Sequence, residues 1–300
     1  MIAASHEVYR SSMTEAAFTV SPLPATFGAM VAGVRLTGLS EPAFQELYGA
    51  WLEYGLLIFP GQHLTRTEQI AFARRFGPPE FEFAPISNVR ADGSVRSDNN
   101  GDDVVKILKG NMGWHCDSTY MAVQAKGAVF SAQVVPPEGG ETEWADMSAA
   151  WDALEPKAQA RLEGLSASHS LAYSQGKLGH AHHQGSAYSG YGLTEAHARV
   201  RPMVKIHPET GRKALMIGRH AFNVTGLGQE DGDRMLAELC DFACRPPRVW
   251  RHRWTSGDIV VWDNRRMMHR ALPWDMSQPR VMWHSRIAGD PATEGAPEAA

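Results

Sequence analysis

From residue 114 onward, short apolar or alternating runs recur along the sequence, separated by turns rich in glycine and proline. Short runs bounded in this way are typical of the strands of a β-sandwich or jelly roll. The predicted strands lie at 128–135, 203–207, 215–217, 249–254, 259–262 and 281–287. Helical patterns interrupt them at 147–154, 156–162 and 231–243. The sequence therefore predicts a mainly β fold, with flanking helices on a sandwich or jelly-roll core.

The first fifth of the chain predicts strands that alternate with helices. The capping residues give the clearest signal. Ser40 suits the N-cap of a helix that Gly55 ends, and Thr65 with Glu68 forms the pattern of a capping box. The predicted elements are strands at 18–20, 29–36 and 56–59 and helices at 41–54 and 65–76.

Neither an internal repeat nor an interdomain linker interrupts the 300 residues. We therefore expect one domain, 1–300, with a core over about 18–290 and flexible ends at 1–17 and 291–300. Residues 78–112 lack clear periodicity, and we expect a loop there, near the entrance of a site. No run of about eighteen apolar residues is present, which argues against a membrane-spanning segment.

The charge pattern argues for a small-molecule partner. The formal net charge is −4 with both signs interspersed, so there is no basic stripe to neutralise the phosphates of a nucleic acid. Three cysteines are too few for a disulfide framework and suit a reducing cytoplasm, and no export signal begins the chain. Because chains of this size often form symmetric assemblies, we expect a homo-oligomer.

The segment Trp114-His115-Cys116-Asp117 carries the sharpest local signal for chemistry. In an extended chain, residues i and i+2 face the same way, so His115 and Asp117 can hold one metal ion. A third ligand should come from a distant strand, and His269, after the predicted strand at 259–262, is the candidate. Two histidines and one carboxylate with open positions are the ligand set of non-haem iron(II) oxygenases.

An arginine, Arg280, lies in the sequence soon after the third candidate ligand, His269. A co-substrate that chelates iron and carries a second carboxylate needs a fixed cation, and arginine offers a planar fork of donors for it. Arg280 directly precedes the predicted strand at 281–287, and the hydroxyl group of Thr142 is available to the same carboxylate. Both residues are therefore candidates for binding such a co-substrate.

The strings WHCDSTY, GGETEW and WDNRRMMH, with the spacing to Arg280, resemble the taurine and 2,4-dichlorophenoxyacetate dioxygenase family over roughly 18–290. KGNMGWHCDSTYM, YSQGKLGH, KIHPETGRKALMIGRHA and RVMWHSRIAGD are similar to its members selective for (S)-phenoxypropionates. The resemblance implies a double-stranded β-helix, a jelly-roll relative, with Fe(II), 2-oxoglutarate and O2 as cofactors and co-substrates. It assigns iron to His115, Asp117 and His269, and 2-oxoglutarate to Thr142 and Arg280.

The resemblance also implies a reaction. Oxidative decarboxylation of 2-oxoglutarate to succinate and CO2 would accompany hydroxylation of a small organic anion. On a carbon that bears an aryl ether oxygen, the hydroxylated product collapses to a phenol and an oxo acid. Aryloxyalkanoates are therefore the expected substrates, with alkyl sulfates, alkyl sulfonates or other carboxylates as the alternative within the same fold.

One position departs from the family pattern. Many members carry an arginine four residues after the 2-oxoglutarate arginine, where it holds the anionic group of the substrate, but this chain has His284. The anion must then be held differently. Arg219 and His220 are the expected contributors, and Asn111, four residues before His115, is a further residue expected to face the substrate.

Two other classes of function remain open from the residues alone. A zinc hydrolase could use the same three ligands, but it would leave Arg280 and Thr142 without a role. A non-catalytic, metal-stabilised binding module would consume no oxygen. The cluster His180, His182 and His183 lacks a carboxylate or cysteine partner, and we interpret it as a solvated loop.

Overall fold

The computed structural model describes residues 18–96, 101–179 and 198–297. The strands in this part of the chain are β1 (Thr19–Pro22), β2 (Ala29–Ala32), β3 (Leu56–Phe59), β4 (Pro79–Ser87), β5 (Gly127–Val134), β6 (Thr142–Asp146), β7 (Ser166–His169), β8 (Arg199–Pro202), β9 (Val204–Ile206), β10 (Lys213–Leu215), β11 (Ala221–Phe222), β12 (Val249–His252), β13 (Ile259–Asp263), β14 (Met267–Ala271) and β15 (Val281–Ile287). The helices are α1 (Glu41–Tyr54), α2 (Arg66–Arg74), α3 (Asp103–Gly110), α4 (Met147–Asp152), α5 (Pro156–Glu163), α6 (Leu171–Gly176), α7 (Gln229–Ala243) and α8 (Pro291–Glu294). None of these helices is long and apolar enough to cross a membrane.

Two sheets form the frame of the site. The large sheet has seven strands in the order β1-β2-β3-β13-β5-β15-β4, and the small sheet has the order β12-β6-β14. Apart from the parallel pair β2 and β3, neighbouring strands in both sheets are antiparallel. Apolar side chains of both sheets share one core, in which Trp144 and Met267 of the small sheet meet Trp262 of the large sheet. This arrangement is the predicted jelly-roll architecture.

The central strands of the large sheet are buried on both faces. In β13, Ile259 and Val261 pack toward α1 and α2, whereas Val260 and Trp262 pack toward the small sheet. A strand covered on both sides reads as a continuous apolar run rather than an alternating one. The strand predicted at 259–262 is therefore confirmed, and the structure places it at the centre of the large sheet.

The predicted starts of α1 and α2 and the end of α1 are confirmed, whereas α2 ends at Arg74, two residues before its predicted end. Ser40 accepts a hydrogen bond from the backbone N–H of Ala43, and Gly55 ends α1 with a φ of 72°. Thr65 and Glu68 form both halves of the capping box of α2. The strand predicted at 29–36 is shorter, because Gly33 ends it with a φ of 81°.

Two expectations about loops and ends are wrong. Residues 78–112 contain β4 and α3 rather than a continuous loop. The strand β4 lies at an edge of the large sheet against β15, and Asp102 caps α3 by accepting from two backbone N–H groups. The C-terminal end is not frayed throughout, because Glu294 of α8 is 2% exposed and pairs with Lys205. The histidine cluster at 180–183 and the segment 1–17 lie outside the described residues.

Candidate active site

His115, Asp117 and His269 bring their ligand atoms within 4.8 Å of one another, and all three are buried. The main chains of His115 and His269 exchange two hydrogen bonds, of 3.0 and 2.8 Å. Residues that oppose each other in this way place their side chains on the same face. Asp117, two residues beyond His115, returns to that face. The structure therefore brings the three candidate ligands together.

The hydrogen bond of His115 selects the nitrogen that faces the other ligands. Its Nδ1 lies 2.7 Å from the carbonyl oxygen of Gly113. Because a carbonyl group only accepts, Nδ1 carries the proton and Nε2 keeps its lone pair. Burial lowers the pKa of His115 to about 3 and that of His269 to about 4. Both imidazoles are therefore neutral donors, as a metal ligand must be.

Asp117 supplies the single negative charge of the cluster. Burial alone would raise its pKa, but the charge of Arg286 and the nearby histidines hold the pKa well below its usual range. Its Oδ1 accepts a hydrogen bond of 3.0 Å from Arg286. Its Oδ2 is buried and has no hydrogen-bond partner. Since a buried carboxylate oxygen is costly to leave unmatched, this oxygen together with two neutral imidazoles fits a divalent metal ion.

An inner chamber of about 80 Å³ opens on one side of the three ligands. Its wall combines residues of both sheets. The residues that line it beside the candidate ligands are Ile86, Asn111, Phe130, Thr142, Trp262, Ala271, Arg280, His284 and Arg286. Thr142 lies opposite Ala271 in the pair of β6 and β14, so it shares a face with His269. The two residues predicted to bind 2-oxoglutarate therefore line the same chamber.

Arg280 and Arg286 both line the inner chamber, and Arg280 is 2% exposed. Its Nε donates to the carbonyl oxygen of Gly140 at 3.1 Å, whereas its Nη2 is buried without a hydrogen-bond partner. Burial lowers its pKa to about 10, so it remains protonated at neutral pH. A buried guanidinium group with an unmatched donor fits an anion such as a carboxylate.

The hydroxyl group of Thr142 is oriented by a residue that the sequence did not single out. The indole N–H of Trp254 donates to Oγ1 of Thr142 at 2.9 Å. That bond uses an acceptor site of the hydroxyl group and leaves its hydrogen for another acceptor. Thr142 and Arg280 can therefore both donate to one carboxylate in the inner chamber.

An outer chamber of about 240 Å³ lies on the other side of the candidate ligands. Its apolar wall comes largely from β4 and α3, which the sequence did not predict. The apolar wall includes Phe81, Ile86, Val104, Ile107, Leu108 and Leu171. The polar wall includes the predicted residues Asn111, Arg219 and His220, and also Tyr120 and Gln175, which the sequence did not indicate. The two chambers share six lining residues: Ile86, Asn111, His115, Asp117, His284 and Arg286.

His284 stands between the chambers as a neutral side chain. It stacks on Trp262 with ring centroids 5.7 Å apart, and its Nε2 lies 3.7 Å from Oδ2 of Asp117. Burial, aided by the charge of Arg286, lowers its pKa to about 3. His284 therefore does not replace the positive charge of the arginine that many relatives have at this position.

His220 lines the outer chamber as a neutral side chain. Ser174 donates to the carbonyl oxygen of Leu171 at 2.9 Å, and its Oγ lies 2.8 Å from Nδ1 of His220. Burial holds the pKa of His220 well below its usual value. A neutral imidazole brings no positive charge to an anion. The cations of this wall are Arg219 and Arg286, and Arg286 already pairs with Asp117.

The position of Arg219 depends on two glycines. A Cβ atom on Gly110 would lie 2.9 Å from Nη1 of Arg219 and 2.9 Å from Nε2 of Gln175. A Cβ atom on Gly113 would lie 3.1 Å from Cδ of Arg219. The two glycines thus leave the space in which the Arg219 side chain reaches the chamber.

Two neutral imidazoles and one carboxylate, placed between two chambers inside a jelly roll, define the class of non-haem iron(II) oxygenases. The chain belongs to the family described as Taurine catabolism dioxygenase TauD, TfdA family, whose model matches residues 19–286. It is an oxidoreductase of the 2-oxoglutarate-dependent type, with Fe(II), 2-oxoglutarate and O2 as its cofactors and co-substrates.

Similar proteins match along nearly the whole chain. The (S)-phenoxypropionate/alpha-ketoglutarate-dioxygenase of Sphingobium herbicidovorans is 62% identical, over 93% of this chain and 98% of that protein. The protein of the same name from Delftia acidovorans is 54% identical, over 92% and 97%. The crystal structure of AAD-2 in complex with Mn(II) and N-oxalylglycine has a TM-score of 0.85 and 34% identity, over 96% of this chain and 100% of that chain. These matches leave no role for a zinc hydrolase or a non-catalytic module.

Proposed function

We propose that this dioxygenase cleaves aryloxyalkanoates, with (S)-phenoxypropionates and 2,4-dichlorophenoxyacetate as the first substrates to test. The observation that carries the proposal is that two chambers open beside one set of candidate metal ligands, His115, Asp117 and His269. The inner chamber contains the buried Arg280, whose Nη2 has no hydrogen-bond partner, and the outer chamber combines an apolar wall with Arg219 and with Arg286, which already pairs with Asp117. The names of the relatives from Sphingobium and Delftia support the same substrate class.

In this proposal His115, Asp117 and His269 hold the iron, and Arg280 with Thr142 holds the distal carboxylate of 2-oxoglutarate. Bound iron and 2-oxoglutarate supply the oxidising chemistry that replaces a C–H bond of the substrate by C–OH. The residues of the chain position the reactants. Arg219 binds the substrate carboxylate, Asn111 lies beside it, and the apolar wall from β4 and α3 holds the aryl ring and keeps water away.

Hydroxylation at the carbon that bears the ether oxygen gives a hemiacetal-like product. As its hydroxyl group loses a proton, that oxygen forms a carbonyl with the carbon, and the bond from carbon to the aryl oxygen breaks. The aryl oxygen takes up a proton and leaves as a phenol, and the remainder is an oxo acid. His220 and His284 contact the substrate as neutral side chains and do not neutralise its carboxylate.

The proposal is tested by anaerobic addition of 2-oxoglutarate to the iron(II)-loaded protein, followed by oxygen and a panel of acids. The weak visible band of chelated 2-oxoglutarate is recorded first, and succinate and phenol are assayed after oxygen is admitted. Both enantiomers of a phenoxypropionate, 2,4-dichlorophenoxyacetate and an alkyl sulfate form the panel. Phenol release coupled to succinate supports the aryloxyalkanoate assignment. Succinate released with the alkyl sulfate, and no phenol from any acid, would reject it.

The Arg219→Ala variant should raise the KM for the aryloxy acid. A hydrogen bond to a charged group is worth about 1.5–3 kcal/mol, which corresponds to about 10- to 100-fold in affinity. The KM for 2-oxoglutarate should stay within about twofold, because Arg219 lines the outer and not the inner chamber. Steady-state kinetics with each substrate varied in turn measures both constants. An unchanged KM for the aryloxy acid would remove Arg219 from the substrate site.

A milder variant, Gly110→Ala, should displace the Arg219 guanidinium group without removing it. The added Cβ atom meets only the far ends of two flexible side chains, so they can shift and the fold should persist. We expect the KM for the aryloxy acid to rise, but by less than in Arg219→Ala. Gly49→Ala is the matched control, because a Cβ atom there, in α1, meets nothing within 4 Å. Equal kinetics in the two glycine variants would contradict this account of Arg219.

We also propose that the enzyme works as a homo-oligomer in the cytoplasm and binds no nucleic acid. The net charge of −4 and the free thiols of Cys116, Cys240 and Cys244 agree with this environment. Light scattering on the purified protein tests the assembly. A monomer at all concentrations would reject it.

A further inference from the structure

A buried group of charges lies behind the carboxylate of Asp117. Arg286 of β15 donates from Nη2 to Oδ1 of Asp117 at 3.0 Å, and from Nη1 to Oγ of Ser118 at 3.1 Å and Oε1 of Glu80 at 3.3 Å. The Ser118 hydroxyl group in turn donates to the Glu80 carboxylate at 2.7 Å. The guanidinium group therefore bridges the candidate metal ligand and the edge strand β4.

The hydrogen bonds of Arg286 to Asp117 and Glu80 limit how the substrate anion can be held. The strand period places Arg286 on the face of His284, where it would be a natural substitute for the arginine that is missing there. Two carboxylates already contact its guanidinium group, one of them fully inside the site. A third anion would have to compete with both. The geometry therefore disfavours Arg286 as the binding group for a substrate carboxylate.

We infer that Arg286 is a positioning residue, which holds Asp117 by Oδ1 so that Oδ2 alone is presented to the metal. The inference rests on the proposed metal site. Held at Oδ1, the Asp117 carboxylate would offer the ion a single oxygen, Oδ2, which has no hydrogen-bond partner. Hydrogen bonds from neighbouring groups are known to orient metal ligands in this way.

The main chain of Asp117 is fixed independently of its side chain. Asn264 accepts from the backbone N–H of Asp117 at 2.8 Å and donates to its carbonyl oxygen at 2.9 Å. Loss of Arg286 should therefore free the carboxylate without releasing the segment that carries it. The effect of Arg286 on metal binding is thus separable from an effect on the fold.

The backbone of Ser118 gives a second, independent indication that the contacts among Arg286, Glu80 and Ser118 have a functional role. Its φ is 57°, a value that residues other than glycine seldom adopt, and its side chain is fully buried. The conformation turns its hydroxyl group between Arg286 and Glu80. Strained residues of this kind concentrate where the surrounding structure must hold a functional group in place.

The test measures binding of Mn(II) alone to the metal-free protein, by titration of the electron paramagnetic resonance signal of the free ion. Arg286→Lys keeps the positive charge but loses the fork of donors, so electrostatic repulsion of the metal stays the same. We expect Mn(II) binding about 10- to 100-fold weaker than in the wild-type protein, the usual effect of losing an outer partner of a ligand. Thermal unfolding of the metal-free variant shows whether the fold is retained.

Matched variants separate the possible outcomes. Arg74→Lys is the control, because Arg74 pairs with Glu82 of β4 at the surface, and its Mn(II) affinity should equal that of the wild type. Glu80→Gln keeps Arg286 but loosens it, and should weaken Mn(II) binding less than Arg286→Lys. Wild-type Mn(II) affinity in a folded Arg286→Lys variant, with a raised KM for the aryloxy acid, would overturn the inference in favour of substrate binding. Wild-type affinity in Asp117→Ala would instead overturn the metal site itself.

Discussion

Replacement of Asp117 by alanine should abolish turnover and metal binding while the fold persists. Asp117 is the one anionic donor of the cluster, and its Oδ2 is the buried oxygen without a partner. In the variant only the neutral imidazoles of His115 and His269 remain. Their two bonds do not offset the free energy needed to remove a divalent ion from water. Loss of a residue that only orients a metal ligand typically weakens metal binding about 10- to 100-fold. We expect Asp117→Ala to weaken Mn(II) binding by more than that, because it removes a ligand.

The fold should survive this change because Arg286 keeps two of its partners. Glu80 and Ser118 still accept from its guanidinium group, so the loss of stability should stay below the about 3–5 kcal/mol that a fully broken buried pair costs. Thermal unfolding of the metal-free forms measures this. The neighbouring variant Cys116→Ala is the control, since Cys116 packs in the apolar core beside Ala145 and Met268. It should bind Mn(II) normally.

One result would contradict the role of Asp117 as a ligand, and another would contradict the expectation of a folded metal-free protein. Succinate production by Asp117→Ala at a rate near that of the wild type would show that another residue carries the charge. Unfolding of the wild-type chain on removal of its metal would show that the ion mainly stabilises the structure. The buried cores on both faces of the large sheet, which do not involve the ligands, lead us to expect a folded metal-free protein.

The sequence predicts those parts of the site that depend on local geometry. His115 and Asp117 are two residues apart, so the period of an extended chain alone places them on one face. The central strand at 259–262 is readable because both of its faces are apolar. His269 is only a candidate from the sequence, since its alignment with His115 depends on a strand pairing between residues far apart in the chain.

What the sequence misses depends on long-range contacts or on partly exposed elements. The edge strand β4 is half-exposed along most of its length and shows no clean alternation, so its residues resemble a loop. Because the sequence predicts a loop there, it does not indicate the apolar wall of the outer chamber or Glu80, the partner of Arg286. Trp254 has no local signature, because its role exists only through its contact with Thr142.

Replacement of Arg280 by methionine should raise the KM for 2-oxoglutarate steeply. Methionine fills much of the same space but offers no donor to the distal carboxylate in the inner chamber. Removing one partner of a buried, hydrogen-bonded charge pair costs about 2–5 kcal/mol, which corresponds to a KM about 30- to 5,000-fold higher. Trp254→Phe removes the hydrogen bond to the Thr142 hydroxyl group and some core packing, but it leaves Arg280 in place. It should therefore give a much smaller increase in the same constant. Steady-state kinetics with 2-oxoglutarate varied at saturating aryloxy acid measures both variants.

Because the two arginines line different chambers, Arg280→Met and Arg219→Ala should each change the KM of a different substrate. Arg280 lines only the inner chamber and Arg219 only the outer of the two, so each variant should raise one KM and leave the other within about twofold. The anaerobic band of chelated 2-oxoglutarate provides a reading that is independent of turnover. In Arg280→Met the band should need far more 2-oxoglutarate, whereas in Arg219→Ala it should form normally. If both variants raised the same constant, the two carboxylates would share one arginine, and the assignment of one chamber to each substrate would be wrong.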